Sequence, residues 1–235
     1  MIATIVNVAA ILAGSLVGLL FKSKIKKRFL DLIMTTLGLC VAVIGITSVI
    51  QTQDILGMIL CMVVGALLGE ALRIESRLDS LGEKIRARVV KTGDGSGFTD
   101  AFVNASLLYC VGSMAIMGSL EAGISQNYTI LFSKSVLDGI ASITFAATMG
   151  YGVLFSVFPL FLYQGAITLL AKWIAPLLSA AIVTEMSAVG GLLIVALSIN
   201  MLGLRQEKIP IGNLLPAMLL PIIYQPLAAF LQARF

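Results

Sequence analysis

Apolar residues in this chain come in long runs rather than in the short periodic stripes of a water-soluble domain. The first three runs are Ile2 to Phe21, Phe29 to Ile50 and Ile55 to about Leu72. Each approaches the ~20 residues that an α-helix needs to cross the hydrocarbon core of a bilayer. From Arg73 to Val90 the pattern changes. Ile74, Leu78, Leu81, Ile85 and Val89 recur every three or four residues, with Arg77, Asp79, Glu83, Lys84, Arg86 and Arg88 between them. That spacing predicts an amphipathic helix lying on a surface, and Lys91 to Gly97 reads as a loop. Five further runs follow, near Phe98–Gly123, Tyr128–Gly150, Tyr151–Ile174, Thr184–Leu204 and Leu214–Leu231. The expected fold is an all-α polytopic membrane protein with about eight transmembrane helices. No charge precedes the first run and no small-residue cleavage site follows it, so it reads as a span and not as a signal peptide.

Composition agrees with this reading. Of 235 residues, 59% are hydrophobic and 12% charged, and the mean hydropathy is +1.03. A soluble domain carries about 25% charged residues, so here too little polar surface exists to coat a globule in water. Histidine is absent, which removes the usual metal ligand and proton shuttle. Cys40, Cys61 and Cys110 sit singly in apolar runs, so neither a disulfide framework nor a thiolate metal site is expected. No metal or cofactor is implied.

The net charge of +4 is a matter of topology rather than of nucleic-acid binding. Cytoplasmic loops collect Lys and Arg. With eight spans and the N-terminus outside, Lys22, Lys24, Lys26, Lys27 and Arg28 fall inside, as do Arg73, Arg77, Lys84, Arg86, Arg88 and Lys91, and Arg205 and Lys208. Those are 13 of the 16 basic residues. Seven or nine spans would put Arg205 and Lys208 on the opposite side from the rest. Both termini are therefore expected outside.

A shift of 151 residues sets Gly14 on Gly165 and Leu19 on Leu170. A shift of 152 sets Met34 on Met186, Gly38 on Gly190 and Val43 on Val195. These matches point to an internal repeat of spans one to three in spans six to eight. From span one to span six is a step of five helices, an odd number, so the repeat would be inverted, as in many secondary transporters. The chain then reads as a single transmembrane domain, 1–235, made of 1–72 (first triplet), 73–97 (cytoplasmic amphipathic helix and loop), 98–150 (inserted spans four and five) and 151–235 (second triplet).

Ionisable residues inside a span cost about 2.5–3.5 kcal/mol each at the helix centre and normally face the protein interior. Three stand out: Glu121, Lys134 and Asp138. Lys134 and Asp138 are one helical turn apart and able to pair, which serves a structural role as well as a functional one. In the functional reading Glu121 and Asp138 line a polar path and Lys134 tunes their charge or meets an anion. Ser135 and Ser142 lie on the same span. Gly118 and Gly123, with Gly112, allow either an unwound turn that exposes backbone groups or close packing through small residues. Gln164, Tyr224, Gln225 and Asn104 are secondary polar candidates. Pro216, Pro221 and Pro226 predict a kinked or interrupted last span.

Four segments, Gly112–Gly123 (GSMAIMGSLEAG), Lys134–Ala146 (KSVLDGIASITFA), Met186–Leu193 (MSAVGGLL) and Asn213–Ala217 (NLLPA), carry a resemblance. Through them the chain resembles a family of bacterial inner-membrane proteins catalogued as domain of unknown function 554, over nearly its whole length. The resemblance implies a bacterial plasma membrane and assigns no activity.

The leading expectation is a transporter or channel for a small polar or ionic solute, with the lipid bilayer as surroundings and a homo-oligomer, a dimer by preference, as the assembled form. The alternative is a non-transporting scaffold or sensor that acts through the basic segment Arg73–Lys91. An enzyme is not expected: there is no HExxH, no histidine and no clear aspartyl partner for Asp138.

Overall fold

A computed structural model of the chain describes residues 1–22, 26–89 and 97–232. Among these residues the regular structure is helical throughout. Lys24, Lys91, Arg234 and most of the loop expected at 91–97 lie outside the described residues. The α-helices are α1 (Ile2–Lys22), α2 (Lys27–Val49), α3 (Ile55–Leu72), α4 (Ile74–Val89), α5 (Phe98–Cys110), α6 (Ser113–Ile124) and α7 (Thr129–Met149). They continue as α8 (Gly152–Phe155), α9 (Val157–Leu169), α10 (Ala171–Ile174), α11 (Ala180–Leu202), α12 (Ile211–Leu214) and α13 (Pro221–Gln232).

The first three spans and the amphipathic α4 fall where the sequence pattern places them. Three of the later spans, the fourth, sixth and eighth, differ in being broken. The fourth is two helices, α5 and α6, bent by 59°. The break falls at Val111–Gly112, where Gly112 takes φ 120°, a left-handed region costly for other residues. The sixth is α8 plus α9. The eighth is α12, a 3-10 stretch over Leu215–Leu219 and then α13, with Pro216 in the 3-10 stretch and Pro226 inside the helix. Proline removes the donor that an α-helix needs at those positions, so the last span is interrupted as the prolines predict.

Among the described residues, seven segments are long and apolar enough to cross a membrane, and the bent α5–α6 pair makes up to eight. Packing directions are visible within unit 1. Along α1 and α7, Asn7 meets Asp138, Gly14 meets Gly139 and Ser142, and Gly18 meets Ile143 and Ala147. Contact positions rise together, so the two helices are parallel. The chain is a polytopic helical membrane protein with seven such segments among the described residues, or up to eight with the bent pair counted as one span.

Contacts divide the chain into two units. Unit 1 is 1–37, 77–110 and 114–172, and unit 2 is 38–76, 111–113 and 173–235. The division cuts across the four sequence segments, because each unit draws on both halves of the chain. In unit 1, α1 lies on α7 through Gly14 and Gly18. A Cβ at either would run into a backbone carbonyl of α7, that of Gly139 or of Ile143. This is the small-xxx-small approach that drives helix association where lipid offers no hydrophobic effect. In unit 2, α3 turns a stripe of Gly57, Cys61, Gly65 and Gly69 inward, and Gly65 and Gly69 lie on Ala217 and Asn213 of the broken last span. Large apolar side chains such as Leu16, Leu20, Phe29, Leu32, Ile55 and Leu67 are exposed, as a surface bathed in lipid requires.

Candidate functional site

The polar centre of unit 1 is built from three helices. On α7, Lys134 and Asp138 stand one turn apart, with side chains only 8% and 9% exposed. The Lys134 ammonium lies 2.9 Å from Oδ1 and 2.8 Å from Oδ2 of Asp138, touching both carboxylate oxygens. The glycine contact of α1 on α7 fixes their register, and two turns before Gly14 that register sets Asn7 beside Asp138. Asn7 Nδ2 donates to Asp138 Oδ2 at 3.0 Å and to Gln164 Oε1 of α9 at 3.3 Å. Asn7 and Gln164 are fully buried.

The carboxylate orients both amides. An ionised Asp138 only accepts hydrogen bonds, so Asn7 must turn its NH2 toward it, and Gln164 must then turn its oxygen toward Asn7. Asn7 Oδ1 and Gln164 Nε2 consequently point elsewhere, and neither has a hydrogen-bond partner among the described residues. The Tyr163 hydroxyl and Thr168 Oγ1, on the same helix as Gln164, are likewise buried without a partner there. Buried polar atoms are normally satisfied, so this group of open donors and acceptors is unusual. The quartet as a whole is electrically neutral.

Other predicted residues take different roles. Ser142 Oγ donates to the Asp138 carbonyl at 2.6 Å, which leaves the Tyr109 hydroxyl, 2.8 Å away, to donate to Ser142. Ser135 Oγ donates to the Leu131 carbonyl at 2.7 Å. Both serines are thus spent on the backbone of their own helix. Glu121 stands near the C-terminal end of α6, half-buried, and accepts from Asn127 Nδ2 of the following turn at 2.9 Å. Gly118 and Gly123 are packing positions and not a break: a Cβ at Gly118 would press on Ile130 and Leu131, and one at Gly123 on the Thr168 carbonyl. The break belongs to Gly112. Asn104 is half-buried on α5, outside the quartet's hydrogen bonds.

Tyr224 and Gln225 belong to unit 2, where they line a cavity of about 520 Å³ with Gln53, Asp54, Leu56, Ala181, Thr184 and Glu185. Sequence reasoning passes over Asp54 and Glu185. A signal is present for Glu185, an acidic residue one position inside the apolar run that starts at Thr184. At the other end of unit 2, Asn213 donates to Glu70 Oε2 at 2.6 Å and accepts from the Glu75 backbone N–H at 2.7 Å. Asn213 thus ties the α3–α4 corner to the last span. Among the described residues no group of three His, Cys, Asp or Glu side chains is placed to hold a metal ion.

The chain matches the family model described as "Protein of unknown function (DUF554)" over residues 2–225, and it belongs to that family. It is 33% identical over 225 residues to the uncharacterized membrane protein YdfK of Bacillus subtilis (strain 168), covering 94% of each chain. It is 29% identical over 233 residues to the uncharacterized protein YqgA of Escherichia coli (strain K12), covering 98% of this chain and 97% of that one. No solved structure matches it.

Proposed function

We propose that this member of the family carries a small polar or ionic solute across the bacterial plasma membrane, holding it at Asn7, Lys134, Asp138 and Gln164. The observation that carries the reading is the pair of open amide atoms, Asn7 Oδ1 and Gln164 Nε2, beside a buried ion pair. Charges inside a span are costly, and a pair kept only for structure gains most when every surrounding polar atom is satisfied. Here one acceptor and one donor stay open at fully buried side chains, which suits a solute that supplies the complementary groups.

The position of the quartet supports the same reading. It joins the first, fifth and sixth spans. The first and sixth are the equivalent helices of the inverted repeat inferred from sequence, and transporter sites lie at such repeat interfaces. Spans one and six share unit 1, and spans three and eight share unit 2, while span two is divided between the units. The basic loops favour a cytoplasmic side at Arg73, Arg205 and Lys208, with both termini outside.

Reconstitution into proteoliposomes tests the proposal. Uptake of a panel of labelled polar solutes, amino acids and inorganic ions among them, is measured for the natural chain and for Asn7→Ala, Asp138→Asn and Glu121→Gln. The expected outcome is a solute whose flux falls at least about tenfold in the first two variants, each of which loses a buried polar contact. Unchanged flux in both would remove the quartet from the mechanism.

A further inference from the structure

The cavity of unit 2 has chemistry of its own, separate from that of the quartet. Its walls come from the α2–α3 turn (Gln53, Asp54), the first two turns of α11 (Ala181, Thr184, Glu185) and α13 (Tyr224, Gln225), with Leu56 of α3. Glu185 is only 4% exposed. It accepts from Thr52 Oγ1 at 2.6 Å and from the Gln53 backbone N–H at 2.7 Å. Asp54 spends one oxygen capping α3 through the Gly57 N–H at 2.8 Å, and its other oxygen is 3.5 Å from Gln225 Nε2. All these hydrogen bonds are neutral donors to carboxylates.

Charge is what the cavity does not balance. Two carboxylates line it and no lysine or arginine does. An ionised carboxylate has about four acceptor positions, and the hydrogen bonds from Thr52 and Gln53 fill two of those on Glu185. A buried carboxylate without a cationic partner is costly, so a cation entering this space would be strongly favoured. Size then selects the kind of cation. A water molecule occupies about 30 Å³ of liquid, so a bare metal ion would leave most of the 520 Å³ unfilled. The volume lies instead in the range of small-molecule pockets, about 300–1,000 Å³. The wall also offers the ring of Tyr224 and two carboxamides, a set that suits an alkylammonium group: carboxylates for the charge and an aromatic face for the N-methyl or N-methylene surface.

We propose that the unit 2 cavity binds a small organic cation bearing an ammonium group, with Glu185 and Asp54 as counter-charges and Tyr224 as its aromatic wall. The site shares no residue with the quartet and does not rest on the transport reading.

The test is calorimetric titration of the full-length protein in nanodiscs with tetramethylammonium. Acetate serves as the anionic control and calcium as the metal competitor, and empty nanodiscs are subtracted. Saturable tetramethylammonium binding is expected, with none for acetate. Glu185→Gln and Tyr224→Leu should each weaken it by roughly tenfold or more, the cost of losing one contact to a desolvated cation. Should Glu185→Gln fail to fold, Tyr224→Leu, whose side chain makes none of Glu185's hydrogen bonds, decides alone. Three results would overturn the proposal: no saturable binding, affinity unchanged in the folded variants, or calcium binding more tightly than tetramethylammonium and displacing it.

Discussion

Unit 1 and unit 2 each bury acidic side chains, and they compensate them in opposite ways. Asp138 has its counter-charge within the same helix, one turn away, with both oxygens against the Lys134 ammonium. Glu185 has only the neutral donors of Thr52 and Gln53 and faces a cavity without a basic residue. In the first case the chain supplies the charge and leaves hydrogen-bonding capacity open. In the second the hydrogen bonds are supplied and the charge is left open. Burial of a carboxylate therefore carries no single meaning. What remains unsatisfied around it, a hydrogen bond or a charge, tells what kind of molecule it would receive.

The largest effect expected from breaking this contrast is at Asp138. Asp138→Asn strands the Lys134 ammonium in the interior, and loss of about 3–5 kcal/mol is expected in reversible unfolding from bicelles or by steric trapping. The double variant Lys134→Met with Asp138→Leu removes both charges and should recover most of that loss, because a well-packed apolar replacement of a buried pair is often neutral. A double variant as unstable as the single one would mean that packing, and not charge, governs the site. Next comes Asn7→Ala, which removes a hydrogen bond to a charged group and the link to Gln164. A loss of about 1.5–3 kcal/mol is expected in the same assay.

Glu185→Gln sharpens the comparison by its small size. It gives up one charge-assisted hydrogen bond but relieves repulsion with Asp54, so the net change in unfolding free energy should stay within about 1 kcal/mol. A loss as large as that of Asp138→Asn would place Glu185 in the same structural class and erase the contrast. Smallest of all is Glu121→Gln. Its partner Asn127 lies in the adjoining exposed turn, and a change of a few tenths of a kcal/mol, visible only as a slight shift of melting temperature, is expected.

Much of the ion pair is legible in the sequence. Lys134 and Asp138 sit four apart within an apolar run, and helical geometry alone brings such residues into contact. The serines illustrate the opposite case. Ser135 and Ser142 occupy the same span and read equally well as path-lining groups, but each bonds a carbonyl one turn back, a local choice that spacing does not reveal. Glycines divide the same way: Gly112 is a break, whereas Gly118 and Gly123 are contacts, and only the neighbours of each position tell the two apart.

The sequence by itself determined the helical class, the first three spans, the amphipathic helix and the interrupted final span. These follow from run length, periodicity and proline chemistry, all local along the chain. Tertiary structure alone decided which polar residues meet. Asn7 and Asp138 are 131 positions apart, and Glu185 and Thr52 are 133 apart. Nothing in a one-dimensional pattern of apolar runs specifies which helices pack together or in what register. That choice is made by surface fit between helices, as where Gly14 and Gly18 let α1 settle on α7 and carry Asn7 to the carboxylate.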